Sequence, residues 1–438
     1  MKKGIFDKEV LNEMSEKLIA AWREAPGTEP DFLEEYPLEA RQEKERQIRH
    51  MVEKGKEGLG EYPASFFAVR KRKKWKKRME GMLEEALWKE PLLDMAGAME
   101  REQLLEFQTC LKEFLQKVRK FDKSLDFGDM GQAARNYMVY AIFLVLNGRA
   151  LHYRPAAFGY SMLYPYTDNF IDAPDRTKEE KERYNRLIKK KLMGEPVRPL
   201  SRHERKTAQL LGQVEADYGR PHEVYKGLLL MLEAQVKSLK QEERWRLRQE
   251  AGGQGMAAPL EAEAAALEVS VYKGGVSVLM DRYFIDVPFT ERDMYFYYGF
   301  GFLLQLCDDL QDIAQDKAEG NPTVFSLCRT REEASWKVNK LLHFARSLFA
   351  ACDAKKEGFR DFLQKNCYLL ILASAAGSRE WMEESWLTGM ERRLPVSLEY
   401  LHGYGGNLLG NGKKGEKGIK EKKERQRLLG ILDVLLAD

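Results

Sequence analysis

From the N-terminus to about residue 124, apolar residues recur at three- and four-residue intervals in a charge-rich background, as in MEGMLEEALWKEPLLDMAGAMEREQLLEFQTCLKEFLQKV over residues 79–118. That spacing predicts helices with one apolar face, and Pro91 should separate two of them. From residue 125 to about 400 the apolar content rises and the segments lengthen. Breakers fall at Gly148, Pro155, Pro165, Pro174, Pro196, Pro199, Pro221, Pro288, Pro322 and Pro395. Long helices joined by short loops follow, and the expected class is all-α with few or no strands. The most continuous apolar stretch, Tyr137 to Leu146, is about half of the ~20 residues that span a bilayer, so it is expected to be a buried core helix. Residues 241–260 turn from charged to Gly/Ala-rich and are expected to form an exposed inter-helix loop. After Gly403 a Gly/Lys linker leads into the amphipathic IKEKKERQRLLGILDVLLAD. No repeat of fixed period is present. The expected division is a helical N-terminal extension over 1–124, a core over 125–402 and a linker with a basic amphipathic helix over 403–438.

Composition narrows the function less than the pattern does. The chain has 72 Lys and Arg against 69 Asp and Glu, a net charge of +3, which is too balanced to imply a nucleic-acid partner. Five widely spaced cysteines without a CxxC pair argue against a disulfide framework or a zinc site, and a reducing cytoplasm fits them best. The N-terminus carries no continuous apolar h-region, so no secretory signal is expected. Two segments qualify the even charge balance. Arg70 to Arg78 is a basic run around Trp75, suited to phosphates, an anionic membrane or simply solvent, and the C-terminal basic helix is suited to peripheral membrane contact.

The chemistry concentrates in aspartates. In GFLLQLCDDLQDIAQDKAEGN, residues 301–321, Asp308, Asp309, Asp312 and Asp316 fall inside an apolar helical segment. Asp308, Asp312 and Asp316 share one face, with Gln305 a turn earlier or nearly so. Like charges about 4 Å apart repel by roughly 4 kcal/mol even at an effective dielectric near 20, so a cation is expected there. Oxygen ligands suit a hard divalent ion, and Mg²⁺ is usually held by one or two carboxylates together with substrate phosphates. A second cluster, YSMLYPYTDNFIDAPDRT, spaces Asp168 and Asp172 one helical turn apart and continues to Arg176. Enough chain lies between the clusters for antiparallel helices to present them across a cavity mouth. Between them, SVYKGGVSVLMDRYF puts Lys273 and two glycines ahead of an expected apolar helix, where the lysine suits phosphate oxygens and the glycines a close backbone approach.

The run of Gly301, Gln305, Asp308, Asp309 and Asp312 resembles the second aspartate-rich motif of trans-isoprenyl diphosphate synthases, and Lys273 resembles in placement the lysine of that family's lysine-threonine motif. The first cluster, DNFID, is closer to the DxxxD of squalene, phytoene and some terpene synthases. The resemblance covers roughly residues 125–400. It implies the all-helical class I isoprenoid synthase bundle, with Mg²⁺ held by Asp168, Asp172, Asp308, Asp309 and Asp312, and with Asp308, Asp309 and Asp168 carrying the chemistry. Lys273, Gln305 and Arg176 would bind the diphosphate of a prenyl substrate. It also makes a homodimer an option.

The chain departs from the elongating enzymes: Gly274 replaces the threonine, Arg176 alone stands where an arginine pair is usual, and no GKR segment is placed for isopentenyl diphosphate. The expectation is therefore a terpene synthase-like enzyme that ionises an allylic prenyl diphosphate in the cytoplasm or at a membrane surface. A chain-elongating transferase and a non-catalytic helical binding protein are the alternatives.

Overall fold

A computed structural model of the chain describes residues 4–65, 67–171, 173, 175–250, 258–401 and 419–437. Among these residues there are 18 α-helices and no strand, so the protein is all-α. The N-terminal third holds α1 (Lys8–Glu24), α2 (Leu38–Gly60), α3 (Val69–Lys89), α4 (Met95–Ala98) and α5 (Arg101–Phe121). Next come α6 (Phe127–Leu146), α7 (Pro155–Ile171), α8 (Lys178–Leu192), α9 (Arg202–Asp217), α10 (Val224–Glu250), α11 (Ala258–Tyr283) and α12 (Glu291–Gln311). The remainder is α13 (Ile313–Glu319), α14 (Arg331–Ala350), α15 (Glu357–Gly377), α16 (Glu384–Glu391), α17 (Leu398–Tyr400) and α18 (Ile419–Leu436).

The helices start where the sequence supplies caps. Asp126 with Asp129, Thr177 with Glu180, Ser201 with Glu204 and Thr290 with Asp293 form reciprocal capping boxes at α6, α8, α9 and α12. Each satisfies two backbone N–H groups that have no carbonyl one turn earlier. Pro91 lies between α3 and α4, as its effect on the backbone requires. Pro155 opens α7, but Pro165 lies inside it, against the expectation of a break there. Buried Pro165 keeps its place because α7 is packed on every side from Ala156 to Tyr166, and tertiary burial outweighs the one lost hydrogen bond. Likewise α10 runs on to Glu250, so the expected loop over 241–260 is helical in its first half.

One core holds the molecule. Its centre is the antiparallel pair α11 and α12, where Gly274 and Gly301 bring the backbones together. A Cβ on Gly274 would stand 2.2 Å from the Gly301 carbonyl oxygen, and one on Gly301 would stand 2.0 Å from that of Gly274. α1, α6, α10, α14 and α15 pack on this pair, and α7, with α9 behind it, packs on α6. The N-terminal region is not detached from it, since α1 buries Leu11, Met14, Leu18 and Trp22 in the same core, with Trp22 edge-on to Phe302 and Phe344. α3, α5 and α18 form an outer group in which Trp75, Met79 and Ile431 make a separate small core. The five cysteines are buried free thiols. No helix among the described residues is long and apolar enough to cross a membrane.

Candidate functional site

A cavity of about 250 Å³ opens between α6, α7, α8, α9, α10, α11 and α12. Two helices act as rails. Along α7 the residues Asp168, Tyr164 and Tyr160 face it at four-residue intervals, and along α11 Lys273, Ser277 and Asp281 do the same. α12 adds Gly301, Gln305 and Asp308. One end is therefore polar, with Asp168, Lys273, Gln305 and Asp308. Leucines from five helices, with Val139, Met231 and Val278, make the body apolar.

One aspartate from each cluster, Asp168 and Asp308, thus lines the same cavity although the two are distant in sequence. Asp168 is held by Gln235 Nε2 at 2.8 Å and by the Thr167 hydroxyl at 3.1 Å. Asp308 lies exposed at the opposite rim. Asp309 turns the other way, as adjacent helical residues must. It is buried and accepts hydrogen bonds from the Ser270 hydroxyl at 3.0 Å and Gln305 Nε2 at 3.0 Å. Burial pushes its carboxyl up to about 6, although the Gln305 hydrogen bond pulls the other way. Asp309 holds Gln305 in place, whereas sequence placed it among the ligands that face the metal.

Asp312 and Asp316 extend the Asp308 face. Burial, together with the charges of Asp308, Asp316 and Glu319, pushes Asp312 up to about 6, with Arg135 the opposing charge nearby. Burial and Asp309 push Asp316 up to about 7, against hydrogen bonds from Thr323 and Asn321. In both, burial is the larger cause and the neighbouring carboxylates add to it, as like charges do. Among the described residues no group of three or more His, Cys, Asp or Glu side chains is placed to hold a metal ion. Among the described residues, one carboxylate from each cluster lines the cavity, Asp168 on α7 and Asp308 on α12.

Other expectations shift. Lys273 lies in the middle of α11, not ahead of a helix, and the glycines after it serve packing: Gly274 admits α12 and Gly275 the ring of Tyr298. Asp172 lies outside the described residues, and so does the Gly/Lys linker after Gly403. Arg176 does not line the cavity. It pairs with Glu180 at 3.6 Å and lies over the Phe170 ring, in a second pocket on the opposite face of α7 with Arg202, His203 and Lys206. Tyr160 and Tyr164 are the aromatic residues that line the cavity.

Sequence reasoning missed Asn136, Gln235, Ser277 and Asp281. The last two could have been found by continuing from Lys273 in four-residue steps. Asn136 on α6 faces the cavity with a buried Nδ2 that has no acceptor. Compared with known proteins, the chain matches no family model, no curated protein and no solved structure.

Proposed function

We propose that the protein is a Mg²⁺-dependent class I isoprenoid synthase of the terpene synthase kind, which ionises an allylic prenyl diphosphate at the mouth of this cavity. What carries the reading is the convergence of Asp168 and Asp308 on one opening that also holds Lys273 and Gln305, above an apolar body. Asp308 and Asp312 on one rim and Asp168 on the other are the oxygen donors that would hold the metal. Mg²⁺, when bound, supplies positive charge to the leaving diphosphate.

The chain's own residues do the rest. Lys273 offers a point charge to phosphate oxygens. Gln305, tied to Asp309 through one amide hydrogen, keeps the other for a phosphate oxygen. The apolar walls keep water from the allylic carbon as the carbon–oxygen bond breaks and the electron pair leaves with the diphosphate.

An elongating enzyme also needs a basic site for a second diphosphate. A basic pocket lies behind α7, and its cations are engaged: Arg202 with Asp122 at 2.7 Å, Arg176 with Glu180, and Lys206 with the Phe121 carbonyl. That favours ionisation of one substrate over condensation of two.

The test is incubation with Mg²⁺ and geranyl, farnesyl or geranylgeranyl diphosphate, with and without isopentenyl diphosphate, followed by mass spectrometry before and after phosphatase treatment. A hydrocarbon or alcohol should form from the allylic substrate alone, and Asp308→Asn should reduce it roughly 100-fold or more. Longer diphosphates formed only with isopentenyl diphosphate would replace this reading with chain elongation. No turnover at all would end the enzymatic reading.

A further inference from the structure

The mouth accounts for the polar groups at one end of the cavity and leaves a carboxyl at the other without a role. Asp281 follows Lys273 by two turns on the same face of α11, with Ser277 between them. It is 3% exposed, and its Oδ1 is buried without a hydrogen-bond partner. Burial alone holds the carboxyl well above its ordinary value. The hydroxyls beside it are occupied with one another. Tyr160 lies 3.0 Å from the Tyr164 hydroxyl and donates to the Ser277 carbonyl at 2.9 Å, while Tyr164 and Ser277 share a hydrogen bond.

A carboxyl taken from water with nothing in exchange is costly, and a wholly hydrocarbon ligand would leave it so. We propose that Asp281, beside Ser277 and Tyr164, forms a subsite for a hydroxyl at the far end of the ligand, whose chain is therefore polar at its tip and anionic at its head. This rests on the mouth being a diphosphate site, as proposed above. A hydroxyl both donates and accepts, so it can pair with the orphaned Oδ1 in either role. Eight residues of helix span about 12 Å, which an extended carbon chain crosses in about ten bonds. The ligand is accordingly of two to three isoprene units.

Binding separates this inference from the reaction. The probes are thiolodiphosphates, which resist ionisation: geranyl against 8-hydroxygeranyl, and farnesyl against 12-hydroxyfarnesyl. Each is titrated calorimetrically with Mg²⁺ into the full chain, with inorganic diphosphate as a head-only probe. The hydroxylated member of at least one pair should bind about 10-fold tighter or more. Asp281→Leu should erase that preference and Asp281→Asn should keep most of it, with inorganic diphosphate binding all three alike. Thermal midpoints, measured alongside, establish that each variant is folded. Equal affinity within both pairs for the wild type overturns the inference and leaves the diphosphate reading standing. So does a preference that survives in folded Asp281→Leu. Failure of inorganic diphosphate to bind the wild type with Mg²⁺ overturns the diphosphate reading, and this inference with it.

Discussion

At the residue scale, the tandem Asp308 and Asp309 show how one helical step divides a motif. The hundred degrees between them send one carboxylate to the cavity rim and the other into the α11 interface, where Ser270 and Gln305 hold it. Asp281 is buried in the same helix pair without such partners, and its titration should be visible in stability. Its folded-state carboxyl is raised by burial, so between the unfolded value and the folded one the native state binds more protons. The stability contribution is then complete below the ordinary carboxylate range and is lost as pH rises through the folded value. The slope is at most about 1.4 kcal/mol per pH unit. Urea denaturation from pH 4 upward should show wild-type stability falling more steeply than that of Asp281→Leu. Parallel curves would mean that Asp281 finds a partner in the native state.

At the element scale, α11 and α12 set the site because their backbones touch. Gly274→Ala places a Cβ 2.2 Å from a carbonyl oxygen that cannot swing aside. The helices must separate, which overpacking data put at about 1–3 kcal/mol, and the gain in helix propensity of about 1 kcal/mol only partly offsets it. Net destabilisation in urea is expected, with weaker diphosphate binding as Lys273 and Gln305 lose register. Gly81→Ala is the control: in exposed mid-helix on α3, with nothing within 4 Å of its Cβ, it should stabilise by about 0.5–1 kcal/mol. If Gly274→Ala stabilises as much as Gly81→Ala, the close approach of α11 and α12 gives way at no cost and the packing argument fails.

The same pair of helices shows what sequence made legible. Helical spacing was enough for an all-α fold, and the acidic stripe singled out Asp308 and Asp312 from the sequence alone. The tandem pair gave no sign of which aspartate faces in, because that depends on how α12 is rotated against α11. Two glycines after a lysine suit a phosphate loop as well as a helix crossing, and only the approach of Gly301 decides between them. Arg176 follows Asp168 closely in sequence, yet the chain turns after α7 and carries it to the other face of that helix. Asp281 was passed over because a lone aspartate in an apolar helix has no local feature that sets it apart.

At the scale of the whole molecule, the C-terminal helix is a clasp on the N-terminal layer. Asp433 on α18 receives two hydrogen bonds from the buried Arg119 of α5, at 2.7 and 3.0 Å, and Ile431 enters the small core of Trp75 and Met79 on α3. Ile431 and Leu436 of α18 are thereby buried against protein. Asp433→Ala leaves the Arg119 guanidinium with the carbonyls of Lys123 and Leu125 alone, at a cost of about 1–3 kcal/mol for a charge-assisted pair. That loss should free α18 while the cavity, built from other helices, stays intact. Trp75 is 4% exposed and donates to the Gly58 carbonyl at 2.7 Å, so its fluorescence reports the event. The emission should move to longer wavelength in Asp433→Ala, and binding to vesicles containing phosphatidylserine should strengthen as the amphipathic helix becomes free to insert. Binding of inorganic diphosphate with Mg²⁺ should not change. If release leaves vesicle affinity as it was, α18 is a structural clasp only, and any membrane contact belongs to the basic face of α3.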